Sequence, residues 1–318
     1  MAYLHKLNIW NVFFCGFMTM FRGAFTALVT PMLEDGSVDY GDFRKLVKSQ
    51  LEGGINGLVP LGTTAETPTL EEDEEDKIIE IVFEEVRAFE KANNKKIPII
   101  LGAGSNCTKD AVRYCERAKK AGADAVLVVT PYYNKPSDEG IYRHFEAVSK
   151  VGIPVVVYNI QGRTGRNIET SLLERIVQVP NMVAVKEASG NVSQMMDVIA
   201  KIKLKNPDFA VLSGDDSLSL PLIAAGGDGV ISVVSNIAPT EVTNLVQSAL
   251  NDDMSKAREL HYKLLPFFKA AFVDGNPSSI KYAMSTKGMI KPCVRLPLVE
   301  VKESAKSVIE NALKECNL

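Results

Sequence analysis

The sequence predicts an α/β fold: a closed (β/α)8 barrel of the TIM type with a helical extension at its C-terminal end. Three observations predict it. Eight short apolar runs alternate with longer amphipathic stretches between residues 20 and 236. The runs are rich in Val and Ile and lack apolar/polar alternation, which is how strands of a parallel sheet covered on both faces read. The 318 residues hold the roughly 250 that such a barrel takes, with a helix-rich stretch left over.

The first run is GAFTALVT, residues 23–30, followed by a helical stretch at 40–51. GLVPL (57–61) precedes a helix at 70–89, and IPIILGAG (97–104) precedes one at 108–120. AVLVVT (125–130) leads to 142–150, IPVVVYN (153–159) to 171–177, and MVAVKEA (182–188) to 193–202. FAVLSGDD (209–216) and GVISVVSN (229–236) complete the set. In the stretch 108–120, Ala111, Val112, Cys115 and Ala118 share one helical face, and Gly122 supplies the stop that helix C-termini prefer. Residues 237–318 are largely helical, interrupted near Pro292 and Pro297. No linker sets them apart, so they are expected to pack on the barrel of residues 20–236.

Residues 1–19 stand outside this pattern. The stretch from Leu7 to Phe21 carries no charge, yet it is shorter than the roughly 20 apolar residues a membrane span needs. Asn11 interrupts it and no small-residue cleavage site follows. The expectation is a non-structural leader or a mis-assigned start, with the fold beginning near Met20. An open doubly wound sheet is the architectural alternative. It would want a glycine-rich fingerprint after the first strand, where Pro31-Met32-Leu33 stands instead. Gly102-Ala103-Gly104 lacks the third glycine and reads as a tight strand-to-loop turn.

Composition narrows the chemistry. Lys and Arg number 36 against 39 Asp and Glu, so nothing favours nucleic acid or an anionic membrane as partner. Five Cys form no C-x-x-C pair, and His5, His144 and His261 share no motif. Neither a disulfide scaffold nor a metal site is indicated, and reduced thiols in the cytoplasm are expected. The chemistry is therefore sought in Lys, Tyr, Thr, Arg and carboxylates.

In (β/α)8 barrels the chemistry sits at the C-terminal ends of the strands. Those ends read Gly62-Thr63-Thr64-Ala65-Glu66, Gly104-Ser105-Asn106 and Pro131-Tyr132-Tyr133-Asn134, then Tyr158-Asn159, Lys186-Glu187, Ser213-Gly214-Asp215 and Ile231-Ser232. Lys186 ends an apolar strand. An amine held there loses hydration, its pKa falls, and its neutral form can attack a carbonyl to give a Schiff base; the same residue also reads as a lysine reaching past the strand into solvent. Tyr158 can shuttle a proton or simply fill the core. Arg163, five residues on, can grip a carboxylate or lie on the surface. Thr63 and Thr64 can equally cap the next helix. The acidic run 71–76 suits the first turns of a helix, as a solvated face.

Together the blocks Gly62-Thr63-Thr64-x-Glu66, Thr130-Pro131-Tyr132-Tyr133, Tyr158-Asn159-x-x-x-Arg163-Thr164-Gly165, Lys186-Glu187-Ala188-x-Gly190, Leu212-Ser213-Gly214-Asp215-Asp216 and Gly229-Val230-Ile231-Ser232 resemble the dihydrodipicolinate synthase / N-acetylneuraminate lyase family of class I aldolases. The resemblance spans about residues 21–300. The arginine of the Arg163-Thr164-Gly165 block, absent from the neuraminate lyases, implies condensation of pyruvate with aspartate 4-semialdehyde on the way to diaminopimelate and lysine. The alternatives are cleavage of a sugar acid or another 2-oxo acid, and a barrel that binds a 2-oxo acid without catalysis.

The roles that follow are those the resemblance implies. Lys186 forms the imine. Tyr158 donates and accepts the proton, with Thr63 and Tyr133 completing a relay, Tyr133 from a neighbouring subunit of a homotetramer built as a dimer of dimers. Thr64, Gly214 and the backbone of Ile231 hold pyruvate, and Arg163 binds the carboxylate of the aldehyde. No metal or organic cofactor is implied, because the lysine is its own electron sink. Two departures stand out. Ala65 replaces a family glycine, with an expected strain if that position needs φ > 0. Gln161-Gly162 replaces Pro-Ser, with an expected loosening of the turn before Arg163. Lysine feedback, which elsewhere uses positions matching Asn106, Asp110 and Tyr132, is not carried over, since Glu72 and Glu75 stand where some sensitive enzymes have histidine.

Overall fold

The computed structural model describes residues 20–318; the expected leader lies outside the described residues. Strand and helix alternate as β1 (Gly23–Ala27), α1 (Tyr40–Glu52), β2 (Gly57–Val59), α2 (Glu72–Asn93), β3 (Ile100–Gly102), α3 (Thr108–Ala121), β4 (Ala125–Val129) and α4 (Asp138–Ser149). Next come β5 (Val155–Asn159), α5 (Gln161–Thr164), α6 (Thr170–Ile176), β6 (Met182–Glu187), α7 (Val192–Val198), β7 (Ala210–Ser213), α8 (Ser219–Ala224) and β8 (Gly229–Ser232). The C-terminal region carries α9 (Pro239–Leu250), α10 (Met254–Ala270), α11 (Ser278–Thr286) and α12 (Glu303–Cys316).

The strands pair in parallel in the order β2-β1-β8-β7-β6-β5-β4-β3. The two ends of this sheet meet: the Leu58 N–H donates to the Pro98 carbonyl and the Gly102 N–H to the Pro60 carbonyl, both at 3.0 Å. The ring is thereby closed, as the apolar runs lead one to expect.

Alternate residues along each strand enter two different apolar spaces. Val156 and Tyr158 of β5 point into the barrel with Phe25, Leu127, Ala184, Leu212 and Ile231. Val155 and Val157 face the helices with Leu46, Ile78, Val126, Leu222 and Val246. Neither face meets water, so neither needs polar residues, and the sequence loses its period of two.

Several runs continue past their ladder. The run 57–61 leaves its strand at Val59, where Pro60 offers a carbonyl but no N–H, and the run 229–236 leaves β8 at Ser232 for a short turn at Val234–Asn236. These overhangs are where the polar strand-end residues lie. The helices start on side-chain acceptors: Asp39 caps α1, Ser137 caps α4 and Asn191 caps α7. Gly122 ends α3 with φ 86, the left-handed stop expected of it. Helix α9 packs against β1, β8 and α8, so the ring of helices draws its last member from the residues expected to form the extension.

Gly102 is not a turn glycine. A Cβ there would lie 1.7 Å from the Leu61 carbonyl oxygen. At Gly104 a Cβ would lie 2.6 Å from the Val129 nitrogen. Both residues let neighbouring backbones approach at the barrel wall. Gly102→Ala is expected to cost about 2–3 kcal/mol by forcing the strands apart, read as a lowered urea midpoint. A loss under about 0.5 kcal/mol would mean that the wall gives way freely there.

Candidate active site

Tyr158 and Lys186 are register partners on β5 and β6. The Lys186 Nζ lies 4.3 Å from the centroid of the Tyr158 ring. Lys186 is 6% exposed, so it does not reach past its strand into solvent. Loss of hydration pulls its pKa down to about 7, opposed by the Asp216 carboxylate and assisted by the Arg163 guanidinium. Gly214 makes room for it: a Cβ there would fall 3.1 Å from Lys186 Cε and 2.6 Å from Ala188 Cβ. Burial also pushes the Tyr158 phenol up to about 12, against the pull of Arg163 and a hydrogen bond with Thr63. At neutral pH this pair is a phenol that keeps its proton beside an amine that can lose one.

The strand ends around them are held by buried acids. The Glu187 carboxylate accepts from Asn159 Nδ2 at 3.0 Å, Gln194 Nε2 at 3.3 Å and the Ser189 N–H at 2.7 Å. Asp216 accepts from Ser232 Oγ and from the N–H groups of Val233 (3.0 Å) and Val234 (3.2 Å). It thus fixes the chain just beyond Ile231, a buried residue of β8. Burial raises the Asp216 carboxyl to about 6, with those hydrogen bonds restraining the rise.

Thr63 and Thr64 sit in a single tight turn, Thr63–Ala65, closed by Glu66 in the left-handed region with φ 59. The strain expected at Ala65 does not arise. The positive φ angles fall on Leu61 and Glu66, and Ala65 is not among the positive-φ residues. Neither threonine caps α2, which is capped by Glu71 and Glu74. Instead Thr64 Oγ1 accepts from Asn276 Nδ2 at 3.0 Å. Glu66 is bound to Lys281 Nζ at 2.6 Å and to the Arg295 N–H at 2.9 Å, and Lys281 Nζ donates also to the Thr30 carbonyl at 2.9 Å. The C-terminal region therefore grips this turn at three points.

Arg163 lies in α5. The Gln161-Gly162 replacement leaves that turn intact: the Arg163 N–H donates to the Ile160 carbonyl at 3.2 Å, and Gly165 N–H to the Gln161 carbonyl at 2.8 Å. Thr164 Oγ1 adds a bond to the Ile160 carbonyl at 3.0 Å. Arg163 Nη2 donates to the Asn276 carbonyl at 3.2 Å. With Thr63 and Tyr158 it lines a cavity of about 410 Å³ that extends to Ser105, Tyr114 and Arg117. Lys186 is not on that lining; Tyr158 is. Tyr133 stands apart, 88% exposed and at φ 69.

The acidic run is not simply a solvated face. Arg117 holds Glu75 and Asp76, Arg113 holds Glu72, and both Glu74 oxygens take Arg295 at 2.6 Å. Glu75 is itself buried, and that burial raises its carboxyl despite Arg117. Asp216, Asn276 and Lys281 escape sequence reading. Asp216 was visible only as one letter of a block, and a lone asparagine and lysine in a helical tail carry no spacing signal at all. Among the described residues no three His, Cys, Asp or Glu side chains gather as metal ligands, and no helix is long and apolar enough to cross a membrane.

Comparison with known proteins adds a family. The profile of the dihydrodipicolinate synthetase family matches residues 20–316. A 4-hydroxy-tetrahydrodipicolinate synthase of Protochlamydia amoebophila is 45% identical over 295 residues, covering 92% of this chain and 96% of its own. The crystal structure of a dihydrodipicolinate synthase from Thermotoga maritima superposes with a TM-score of 0.87 at 42% identity, over 94% of this chain and 99% of that one. A chloride-inhibited dihydrodipicolinate synthase from Acinetobacter baumannii, complexed with pyruvate, superposes with a TM-score of 0.87 at 38% identity, over 93% of this chain and 99% of that one.

Proposed function

Because the chain belongs to the dihydrodipicolinate synthetase family, we propose that it is a 4-hydroxy-tetrahydrodipicolinate synthase working through an imine on Lys186. The observation that carries the mechanism is a buried lysine whose pKa falls to about 7 beside a phenol held protonated. The neutral amine attacks the carbonyl carbon of pyruvate, water leaves, and a protonated imine remains. That imine draws electrons from the methyl group, which gives up a proton and becomes an enamine. The enamine forms the new carbon–carbon bond to the aldehyde of aspartate 4-semialdehyde. Tyr158, which lines the cavity together with Thr63, carries protons in and out. Thr64, Gly214 and the backbone of Ile231 hold pyruvate, and Arg163 takes the semialdehyde carboxylate.

Tyr133 is proposed to complete the relay of a neighbouring subunit in a homotetramer. Its exposure, together with a left-handed backbone that an aromatic residue rarely adopts, supports a role outside its own chain. Work in the cytoplasm is supported by the free thiols of Cys107, Cys115, Cys293 and Cys316.

The test is a coupled assay with both substrates. Arg163→Ala is expected to raise the KM for the semialdehyde about 30-fold or more, the loss of one charge-assisted bond pair. The KM for pyruvate should move far less. Unchanged turnover at low semialdehyde would remove this substrate and point to another 2-oxo-acid aldolase. Failure to trap pyruvate on Lys186 with borohydride would remove the imine mechanism altogether.

A further inference from the structure

We infer that Asn276, in the C-terminal region, is a positioning residue that sets the pyruvate subsite through its side chain and the semialdehyde subsite through its backbone carbonyl. The inference rests on the assignment of Thr64 to pyruvate and Arg163 to the semialdehyde. Asn276 is the one residue hydrogen-bonded to both among the described contacts. Its side-chain Nδ2 donates to Thr64 Oγ1 at 3.0 Å, and its backbone carbonyl accepts from Arg163 Nη2 at 3.2 Å. It reaches them across 212 and 113 residues of chain.

The direction of the first bond matters. A hydroxyl has one proton and two lone pairs. With a lone pair of Thr64 occupied by the amide N–H, its proton is left to donate elsewhere, which is what a bound carboxylate requires. The second bond fixes one edge of the Arg163 guanidinium and leaves its other donors for the incoming carboxylate. Both effects depend on Asn276 being immobile, and the surroundings make it so. It is 8% exposed, and it immediately precedes α11, whose Lys281 is anchored to Glu66 and the Thr30 carbonyl.

The residue also carries a cost that packing does not explain. Asn276 Oδ1 is buried and has no partner. An unpaired buried acceptor is disfavoured, and a leucine or alanine would leave none. A polar side chain kept in such a place is expected where its other end is needed.

The experiment uses the full chain and two variants, Asn276→Ala and the near-isosteric Asn276→Asp. Four quantities are read: both KM values, kcat, borohydride labelling of Lys186 by pyruvate, and Tm. Asn276→Ala removes the bond to Thr64 but keeps the backbone carbonyl that holds Arg163, so the KM for pyruvate is expected to rise about tenfold, the effect of one lost hydrogen bond, and the KM for the semialdehyde less than threefold. kcat should fall less than threefold, and Lys186 should still label fully at saturating pyruvate. Asn276→Asp keeps the volume but turns the donor into an acceptor. It claims the Thr64 proton, so the KM for pyruvate should rise at least as far. A KM for pyruvate within twofold of wild type in both variants would overturn the inference. So would a rise in the KM for the semialdehyde as large as that for pyruvate, or a fall in kcat that tracks Tm with unmoved KM values. If the unsubstituted chain fails to label at Lys186, the imine mechanism falls and this inference with it; labelled wild type with unmoved KM values overturns the positioning role by itself.

Discussion

Lys186→Met is expected to lower turnover by on the order of 10⁴-fold or more and to abolish the borohydride-stable adduct with pyruvate. No other amine is described beside the Tyr158 ring, so nothing replaces it as nucleophile. A residual rate within tenfold of wild type would sink the mechanism. The same site sets the pH profile. With a pKa of about 7, Lys186 is mostly neutral at pH 8 and mostly protonated at pH 6. Imine formation should therefore fall about tenfold per pH unit well below 7. If Asp216 is what keeps this pKa from falling further, the acid limb should move to lower pH in Asp216→Asn.

The substitution has an opposite effect on stability. Lys186 titrates near 7 in the fold against 10.5 for the free side chain. Between those values the unfolded chain binds more protons than the native one. The native lysine thus costs stability, fully below pH 7 and not at all above about 10.5. Lys186→Met should melt higher than wild type at pH 7 while being inactive, and the gap should close as the pH rises toward 10.5.

Lys281→Met is expected to be the most destabilising of the changes considered, by about 3–5 kcal/mol. Lys281 and Glu66 are paired at 2.6 Å with both side chains wholly buried. Burial lowers the Lys281 pKa, with Glu66 pulling it back. Deleting the ammonium leaves a carboxylate in the interior with only the Arg295 N–H as close partner. Tm should fall by on the order of 10 °C. Lys281→Met combined with Glu66→Gln should regain part of that loss, since no charge is then stranded. A Tm within about 2 °C of wild type for the single variant would mean that water reaches the pair.

Much of the fold was legible because the barrel's two apolar spaces leave an unmistakable record: eight runs without alternation. The strand lengths were less so. The strands end where Pro60 lacks a donor or where Ser232 turns away, and neither event changes hydropathy. The strand ends of the candidate site were legible through their position. Lys186, Tyr158, Thr63 and Arg163 come from sequence segments that each end an apolar run or follow one, and the fold gathers them. What stayed hidden was everything supplied from afar. Ala65 looked strained because a motif marked it, while the backbone places the left-handed angle one residue later. Asn276, Lys281 and Arg295 act on Thr64 and Glu66 from more than 200 positions away, a relation that local patterns cannot carry.

That separation bears on how the enzyme is made. Chains emerge from the ribosome N-terminus first. When the last barrel strand has left the exit tunnel, the lysine that will neutralise Glu66 has not yet been synthesised. Until it is, the barrel lacks the ammonium that pairs with Glu66 and the amide that donates to Thr64. The full set of contacts around Thr64 and Glu66 is accordingly a late event in biosynthesis, reached only once the C-terminal region has been made.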